Sequence, residues 1–520
     1  MGMEDFWEQL PTGKEDKPLL FEMGPLEYDF HDIDGLYFML DRRLSGCLLM
    51  MWAKPMNPDI QGTVTLDSRV VSGCINQYME VMGNMWVLGI PLRGLVTEYG
   101  REYQLHVEGF VDMDGNEMNP QDFTVRGVEK VKPKPEDAAH EQIALEAARE
   151  GIVLLKNENN TLPLSKTLKN IAVIGPQADE VKSLTSRYGS HNPNVITGLQ
   201  GLKNLLGENV NLMYAKGCNV RDKNFPQSDV MYFELSDKEK EEIDEAVEVA
   251  KKAEVAIIYV GDDFRTIGES RSRVNLDLSG RQKELVRAVQ ATGTPVVLVL
   301  FNGRPVTLNW EDANLPAIVE AWYPGEKGGT AIARILFGEV NPSGRLSVSI
   351  PQSVGHVPVF YNHKPSGRGF YHSPGTKEKP GRDYVFSSPD PLFPFGYGLS
   401  YTTFEYSGLQ VSKKRFGPDD KIQVSLDVTN TGKRAGKEVV QLYVRDLISS
   451  VSIPVKQLIG FTKEELVPGE TKRVTFQVSP DELGLWNENM QYVTEPGEFE
   501  LMVGRSAEDI LLKEKIEYIE

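Results

Sequence analysis

Cysteine is scarce. The 520 residues include only Cys47, Cys74 and Cys218, none of them in a Cys-x-x-Cys pair. So few, and an odd number, exclude a disulfide scaffold and a zinc site of the finger type. The seven histidines show no His-x-His or His-x-x-x-His spacing, so no metal constellation is visible and no cofactor is implied. A Gly-x-Gly-x-x-Gly run is also missing, which removes the dinucleotide fingerprint. Positive charge is in deficit: 56 Lys and Arg face 75 Asp and Glu, for a formal net charge of −19. Phosphate backbones and anionic lipid surfaces need clustered cations, so neither nucleic acid nor membrane is expected as a partner. No apolar run reaches the roughly 18 residues of a membrane-spanning helix. The start, Met1-Gly2-Met3-Glu4-Asp5-Phe6-Trp7, lacks the basic-then-apolar order of a secretory leader. Read as it stands, the sequence predicts a cytoplasmic protein.

What is present is ordinary for a globular chain, with 40% hydrophobic and 25% charged residues. About three domains are expected at roughly 150 residues each. Residues 1–24 are polar and interrupted by Pro11 and Pro18, and read as a lightly structured lead. From 25 to 131, short strands alternate with turn signals: Leu36–Leu40, Cys47–Ala53, Gly62–Leu66, Met85–Ile90 and Tyr103–Phe110. This spacing predicts a β-sandwich. Its closing stretch, Tyr103 to Met118 followed by Phe123-Thr124-Val125, is similar to the last hairpin of bacterial immunoglobulin-like modules. There Asp114-Gly115 would supply the positive φ angles of a tight turn. A spacer or packing module fits such a domain, and so does one that binds sugar or a partner. Lys132-Pro133-Lys134-Pro135 then reads as a stiff linker.

Residues 132–350 change character. A helix is predicted over Glu136–Gly151, with Ala138, Ala139, Ile143, Ala144, Ala147 and Ala148 on one side. Apolar runs at Ile171–Ile174, Asn211–Gly217, Val255–Val260, Thr294–Phe301 and Ala317–Trp322 read as strands. Helical periods fall between them, over Leu199–Leu206, Asp237–Ala253, Gln282–Ala291 and Gly328–Leu336, and Trp310–Pro316 reads as a turn. Near-continuous apolar strands alternating with helices predict a doubly wound parallel sheet of five or six strands. Residues 351–402 are an irregular loop. From 403 to 520 period-two alternation returns, over Ile422–Gly432, Glu438–Arg445, Lys456–Phe461, Lys472–Val478 and Gly497–Val503, and predicts a second β-sandwich.

The stretch after Val260 organises the rest. The buried strand breaks at Gly261 into a polar loop that carries Glu269 at the carboxyl end of a parallel strand, the edge where ligand chemistry collects. The segment Gly268-Glu269-Ser270-Arg271-Ser272-Arg273-Val274-Asn275-Leu276-Asp277-Leu278 resembles the acid/base loop of glycoside hydrolase family 3. Other stretches match that family in order: Gly151 to Leu164, Leu300-Phe301-Asn302-Gly303-Arg304-Pro305-Val306, Ala321 to Gly329, Leu336 to Leu346, and Phe393 to Tyr401. The resemblance runs from about Ala138 to the end. It implies the family's α/β sandwich followed by a fibronectin type III-like domain, with residues 351–402 covering the surface between domains. It also implies a β-glucosidase or β-xylosidase type of activity on a glycoside substrate.

A retaining glycosidase needs two carboxyl groups about 5–5.5 Å apart, one a nucleophile and one an acid held protonated by burial or by a neighbouring carboxylate. Glu269 is the candidate acid; the bland alternative is an exposed loop glutamate paired with Arg271 or Arg273. Asp262 and Asp263 are the other carboxylates at this strand end. The resemblance adds Arg187, His191, Asp262 and Arg271 as substrate contacts, although Arg187-Tyr188-Gly189-Ser190-His191 reads equally well as loop filler. In the family the nucleophile is an aspartate on a preceding (β/α)8 barrel, which needs at least about 200 residues. The stretch before Lys132 is shorter and reads as strands. The nearest echo of the nucleophile motif, Ser228-Asp229-Val230, lies in a polar insertion.

Three readings follow. A second chain, carrying the barrel, supplies the aspartate, or the chain works in a homo-oligomer. The chain is a non-catalytic carbohydrate- or protein-binding relative. Or it recruits an unusual carboxylate of its own. The intact Gly268-Glu269-Ser270-Arg271 favours the first, for which Trp322, Tyr323, Phe360 and Tyr361 are candidates for an exposed docking face.

Overall fold

The computed structural model describes residues 20–23, 36–39, 47–52, 62–72, 74–79, 85–91, 101–111, 121–128, 135–189, 194–365 and 388–519. The chain divides into two compact units, Met1–Asp137 and Ala138–Glu520. Among the described residues no helix is long and apolar enough to cross a membrane.

The first unit contains two antiparallel sheets. Its strands are β1 (Leu20–Met23), β2 (Leu36–Met39), β3 (Cys47–Trp52), β4 (Thr63–Leu66), β5 (Arg69–Val70), β6 (Ile75–Met79), β7 (Met85–Pro91), β8 (Glu102–Glu108) and β9 (Gln121–Val128). One sheet runs β1-β9-β8-β4-β5 and the other β2-β3-β7-β6. Alternation sets the faces: Val64, Leu66, Tyr103, Leu105 and Val107 are buried, while Thr63, Gln104 and Glu108 face out. Asp67 and Ser68, both at positive φ (47° and 63°), join β4 to β5 in a two-residue hairpin whose twist matches the strands. The Asp114-Gly115 turn and the Lys132–Lys134 part of the linker lie outside the described residues.

The second unit opens with helix α1 (Pro135–Gly151). Its predicted apolar side is largely uncovered. Ala138 and Ala139 are exposed and Ile143 is 63% exposed, and the helix docks mainly through Leu145 and Ala148, with Glu141 paired to Lys327. An alanine-rich stripe offers little area to bury, so it does not say which face packs. A six-stranded sheet follows, built from β10 (Val153–Asn157), β11 (Asn170–Ile174), β12 (Asn211–Ala215), β13 (Val255–Gly261), β14 (Val296–Phe301) and β15 (Ala317–Glu320). Their order is β10-β15-β14-β13-β11-β12, all parallel except β10, which runs antiparallel to β15.

Helices α2 (Lys182–Thr185), α3 (Gly198–Leu206), α4 (Asp237–Lys251), α5 (Gln282–Gln290), α6 (Asn309–Asn314) and α7 (Gly328–Leu336) complete this domain. Residues of α3 and α7 pack on one face of the sheet with Ile171, Val173, Ile257, Val299 and Phe301. On the other face α4 and α5 pack with Ala172, Ile174, Ile258, Val260 and Leu298. The inner strands thus bury both sides, which is why they read as unbroken apolar runs. Ser236 starts α4 with a capping box: its hydroxyl accepts the Glu239 N–H, and the Glu239 carboxylate accepts the Ser236 N–H at 2.8 Å. Residues 309–314, expected as a turn, form α6 instead.

The chain order places β12 and β13 on opposite sides of β11, so the strand order reverses between β11 and β13. The crevice outside the carboxyl ends of such strands is the usual ligand position in open α/β sheets.

Residues 404–518 form two further sheets, β16 (Phe404–Val411), β18 (Ile422–Asn430) and β21 (Thr471–Val478) in one, and β17 (Arg415–Phe416), β25 (Ile510–Tyr518), β24 (Gly497–Gly504), β19 (Gly436–Asp446) and β20 (Gln457–Leu466) in the other. Their inward residues, among them Val424, Leu426, Val440, Leu442, Leu501 and Val503, form one core. A small hairpin, β22 (Leu485–Trp486) with β23 (Tyr492–Val493), sits beside them.

Between these domains, residues 393–401 are stitched to both. The Leu399 N–H donates to the Leu154 carbonyl (2.8 Å) and the Tyr397 hydroxyl to the Leu155 carbonyl (3.1 Å) on the edge strand β10. Tyr401 donates its hydroxyl to the Ile335 carbonyl of α7 at 2.9 Å. On the other side, Gln441 donates to the Gly396 carbonyl (3.0 Å) and the Ala507 N–H to the Phe395 carbonyl (2.9 Å).

Candidate active site

The carboxyl ends of β11, β13, β14 and β15 meet in a buried polar floor. Gln177, just past β11, donates its side-chain amide to the Asp262 carbonyl and, at 3.4 Å, to the Phe301 carbonyl. Gln282, at the start of α5, clasps the last residue of β13 from below, accepting the Gly261 N–H (2.8 Å) and donating to its carbonyl (2.9 Å). At the end of β15, the buried Glu320 accepts the Trp322 N–H (2.8 Å) and the Asn302 amide (3.1 Å). Burial pushes the Glu320 carboxyl up to about 8, against those two hydrogen bonds and with help from the nearby Asp262. It is therefore protonated at neutral pH.

Asp262 is buried at the head of the Glu269 loop. Burial raises its carboxyl above the ordinary range. Arg273 Nη1 at 3.5 Å, Arg304 Nε at 3.7 Å and the Thr266 hydroxyl at 3.1 Å oppose that rise. Arg273 in turn chelates Asp229 through Nε (3.0 Å) and Nη2 (3.1 Å), and both side chains are nearly sealed from solvent, at 3% and 5% exposure. Asp229, the sequence echo of a nucleophile motif, is thus committed to an internal ion pair. Asp263 is held by Arg265, which donates from both Nε (3.0 Å) and Nη2 (2.8 Å).

Glu269 stands at the apex of the loop. The Gly268 carbonyl accepts the Arg271 N–H at 3.1 Å, and Ser270 takes a positive φ of 60°, as position i+2 of a type II turn does. Gly268, at φ +97°, needs its missing side chain: a Cβ there would fall 2.9 Å from Arg187 Cδ and 3.0 Å from the Tyr188 hydroxyl. Both peptide groups of Glu269 are bound from the loop after α2. The Tyr188 hydroxyl accepts the Glu269 N–H (2.6 Å), and Arg187 Nη1 donates to its carbonyl (3.0 Å). The Glu269 side chain itself is exposed, and among the described residues no hydrogen bond or ion pair engages its carboxylate. A backbone fixed on both sides and an exposed carboxylate at its tip is the arrangement of a group presented outward.

The site residues expected from the sequence are therefore distributed unevenly. Glu269 and Arg187 come together, with Arg187 on the Glu269 backbone. Asp262 forms part of the floor beneath them. Arg271 is exposed and donates to the neighbouring Ser270 carbonyl at 3.1 Å. His191 lies outside the described residues. The pairing of Glu269 with Arg273 does not occur, because Arg273 is turned inward to Asp229 and Asp262. Among the described residues nothing buries the acid either. Tyr188, Arg304, Gln177 and Glu320 were not singled out in advance; a tyrosine next to Arg187 and an arginine in the Asn302-Gly303-Arg304 turn were the available signals. Of the four aromatics proposed as a docking face, only Phe360 is exposed, at 65%. Trp322 and Tyr323 are half-buried, and Tyr361 stacks on Phe395 with ring centroids 4.2 Å apart.

Comparison with known proteins identifies the domains that carry this loop. Residues 152–401 match the glycosyl hydrolase family 3 C-terminal domain, and residues 438–507 match a fibronectin type III-like domain. A periplasmic beta-glucosidase of Salmonella typhimurium is 44% identical over 385 residues, covering 72% of this chain and 49% of its own. A beta-xylosidase of Formosa agariphila is 42% identical over 379 residues, covering 71% and 48%. Among solved structures, a β-glucosidase from Erythrobacter marinus superposes with a TM-score of 0.65 at 37% identity, covering 73% of this chain and 51% of that one. A Listeria innocua β-glucosidase in complex with glucose gives 0.63 at 32%, covering 74% and 50%. The chain spans about half the length of the curated relatives it matches. Through this C-terminal α/β domain and the sandwich that follows it, the chain belongs to glycoside hydrolase family 3.

Proposed function

We propose that this chain supplies the acid/base glutamate, Glu269, to a retaining β-glycosidase acting on β-linked glucose or xylose. The observation that carries the reading is the presentation of Glu269: a turn bound on both peptide faces, at the carboxyl edge of a parallel sheet, with its carboxylate engaged by none of the described residues. The names of the relatives supply the substrate class. In this reading Glu269 protonates the leaving glycosidic oxygen while a nucleophilic carboxylate attacks the anomeric carbon. It then takes a proton from the water that releases the sugar. The nucleophile comes from a (β/α)8 barrel on a partner chain, since Asp229, Asp262 and Asp263 are each held by an arginine. An acid working near neutral pH needs burial or a second carboxylate beside it; a barrel seated over the loop would bring both.

A binding role without catalysis is the competing reading. The first unit, with its two antiparallel sheets, fits an immunoglobulin-like module in either. The experiment is hydrolysis of aryl β-glycosides by the full chain alone and mixed with a barrel-bearing partner, with the mass of each sample measured in solution. Activity confined to the larger complex, and lowered about 10²–10⁴-fold by Glu269→Gln, is the expected result. Activity of the chain alone would refute the divided site. Sugar binding without turnover in any mixture would leave the binding role.

A further inference from the structure

Arg304 follows β14 in the Asn302-Gly303-Arg304-Pro305 turn and does not reach solvent as a ligand would: its side chain is 20% exposed. Its Nη2 donates to two carbonyls, Thr266 at 2.8 Å and Arg271 at 3.1 Å. These carbonyls flank Glu269, one on each arm of the loop. Nε of the same guanidinium lies 3.7 Å from Asp262 Oδ2, at the root of that loop. One planar cation therefore ties the root and both arms together, a task that suits a guanidinium's fixed fork and not a lysine's single ammonium.

The arginine is itself held in place. Its carbonyl accepts the Asn302 amide at 2.7 Å, and Asn302 also donates to Glu320 on β15. Pro305 restricts the Arg304 backbone to extended conformations. Gly303 lets the loop close underneath, since a Cβ there would fall 2.3 Å from Ile267 Cδ1 and 2.6 Å from the Tyr323 ring. Asn302, Gly303 and Arg304 thus form a rigid bracket on the sheet edge, and the Glu269 loop is hung from it.

We infer that Arg304 is a positioning residue for the acid/base step, aiming Glu269 by fixing the Thr266 and Arg271 carbonyls on either side of it. The inference rests on the reading of Glu269 as the acid. It assigns catalytic weight to a side chain that acts through the loop's own carbonyls and Asp262. A displacement of about 1 Å at a catalytic group is worth about 100-fold in rate.

The test uses the full chain with its barrel-bearing partner and two substrates. On C1–O cleavage a 2,4-dinitrophenyl β-glycoside releases a phenolate that needs no proton, whereas an alkyl β-glycoside releases an alkoxide that must take one from the acid. The readout is kcat/KM, which reports the first bond cleavage. Arg304→Ala is expected to lose about 100-fold on the alkyl glycoside and less than about tenfold on the dinitrophenyl glycoside. Added guanidinium should recover part of the loss in Arg304→Ala, and Arg304→Lys should not. Equal losses on both substrates would overturn the inference, because general disruption does not distinguish leaving groups.

Glu269→Gln, run alongside, separates the two ideas. If it shows no leaving-group dependence, the assignment of the acid fails. Hydrogen exchange then decides on the bracket alone. In Arg304→Ala the amides of residues 267–271 should exchange faster while those of β13 and β14 do not change. Unaltered exchange at residues 267–271 would overturn the bracket whatever the enzymology.

Discussion

Replacing Glu150 by glutamine tests how the α/β domain is held to the C-terminal sandwich. Glu150 lies in the last turn of α1. Its Oε1 is 2.5 Å from Lys437 Nζ on β19, and its Oε2 is 2.6 Å from Lys463 Nζ on β20 and 3.2 Å from the Ser343 hydroxyl. Partial burial pushes the carboxyl up, but the hydrogen bonds and charges of the two lysines outweigh it and bring the group from 4.5 down to about 2. At about 1.36 kcal/mol per pH unit the difference corresponds to at most about 3 kcal/mol. The side chain is 30% exposed, and solvent screening reduces this to roughly 1–2 kcal/mol. The folded group is the stronger acid, so the stabilisation is complete above about 4.5 and is lost as the pH falls toward about 2. Urea unfolding of the full chain and of Glu150→Gln would be compared in steps from about pH 7 to about pH 3. The variant should be weaker by roughly 1–2 kcal/mol at neutral pH, with the gap closing on acidification. A gap of constant size would refute the reasoning, since it would mean the loss is one of packing and not of charge.

Two further outcomes follow from the buried charges at the sheet edge. Because the folded state keeps the Glu320 proton up to about 8, stability of the wild-type chain should decline as the pH rises from 4.5 to about 8, and Glu320→Gln should flatten that decline; parallel curves would count against it. Asp229→Asn strips a sealed arginine of its main partner and should cost about 3 kcal/mol or more, read as a lower unfolding midpoint. An unchanged midpoint with turnover restored by azide would instead mark Asp229 as a reacting carboxylate.

The parallel strands could be read from the sequence because two-sided burial leaves an unbroken apolar run such as Val255 to Val260. Strand β10 carries only the short run Ile152–Leu155. Val153–Asn157 lies at the edge and ends in Lys156 and Asn157, and nothing local encodes that it runs antiparallel. Helix α6 is six residues long, too short to show a period, and its asparagines look like a turn. At the site, Glu269 was visible through its neighbours in the chain. The contacts that aim it were not, because they join a backbone carbonyl or N–H to a side chain 33, 38, 81 or 82 positions away. Nor does local sequence say which of the loop's charges turn in: Arg273 does, and Glu269 stays outside.

The segment 393–401 has a mechanical consequence. Its hydrogen bonds enter the edge strand β10 and helix α7 on one side and the β19–β24 sheet on the other. The C-terminal sandwich is therefore not hung on a hinge. A load applied to it passes in shear through Leu399, Tyr397 and Tyr401 into the parallel sheet, and the two halves tilt together as one lever. Any displacement of the sandwich, by a bound polymer or a neighbouring molecule, is delivered to the same sheet whose inner strand β13 leads into the Glu269 loop.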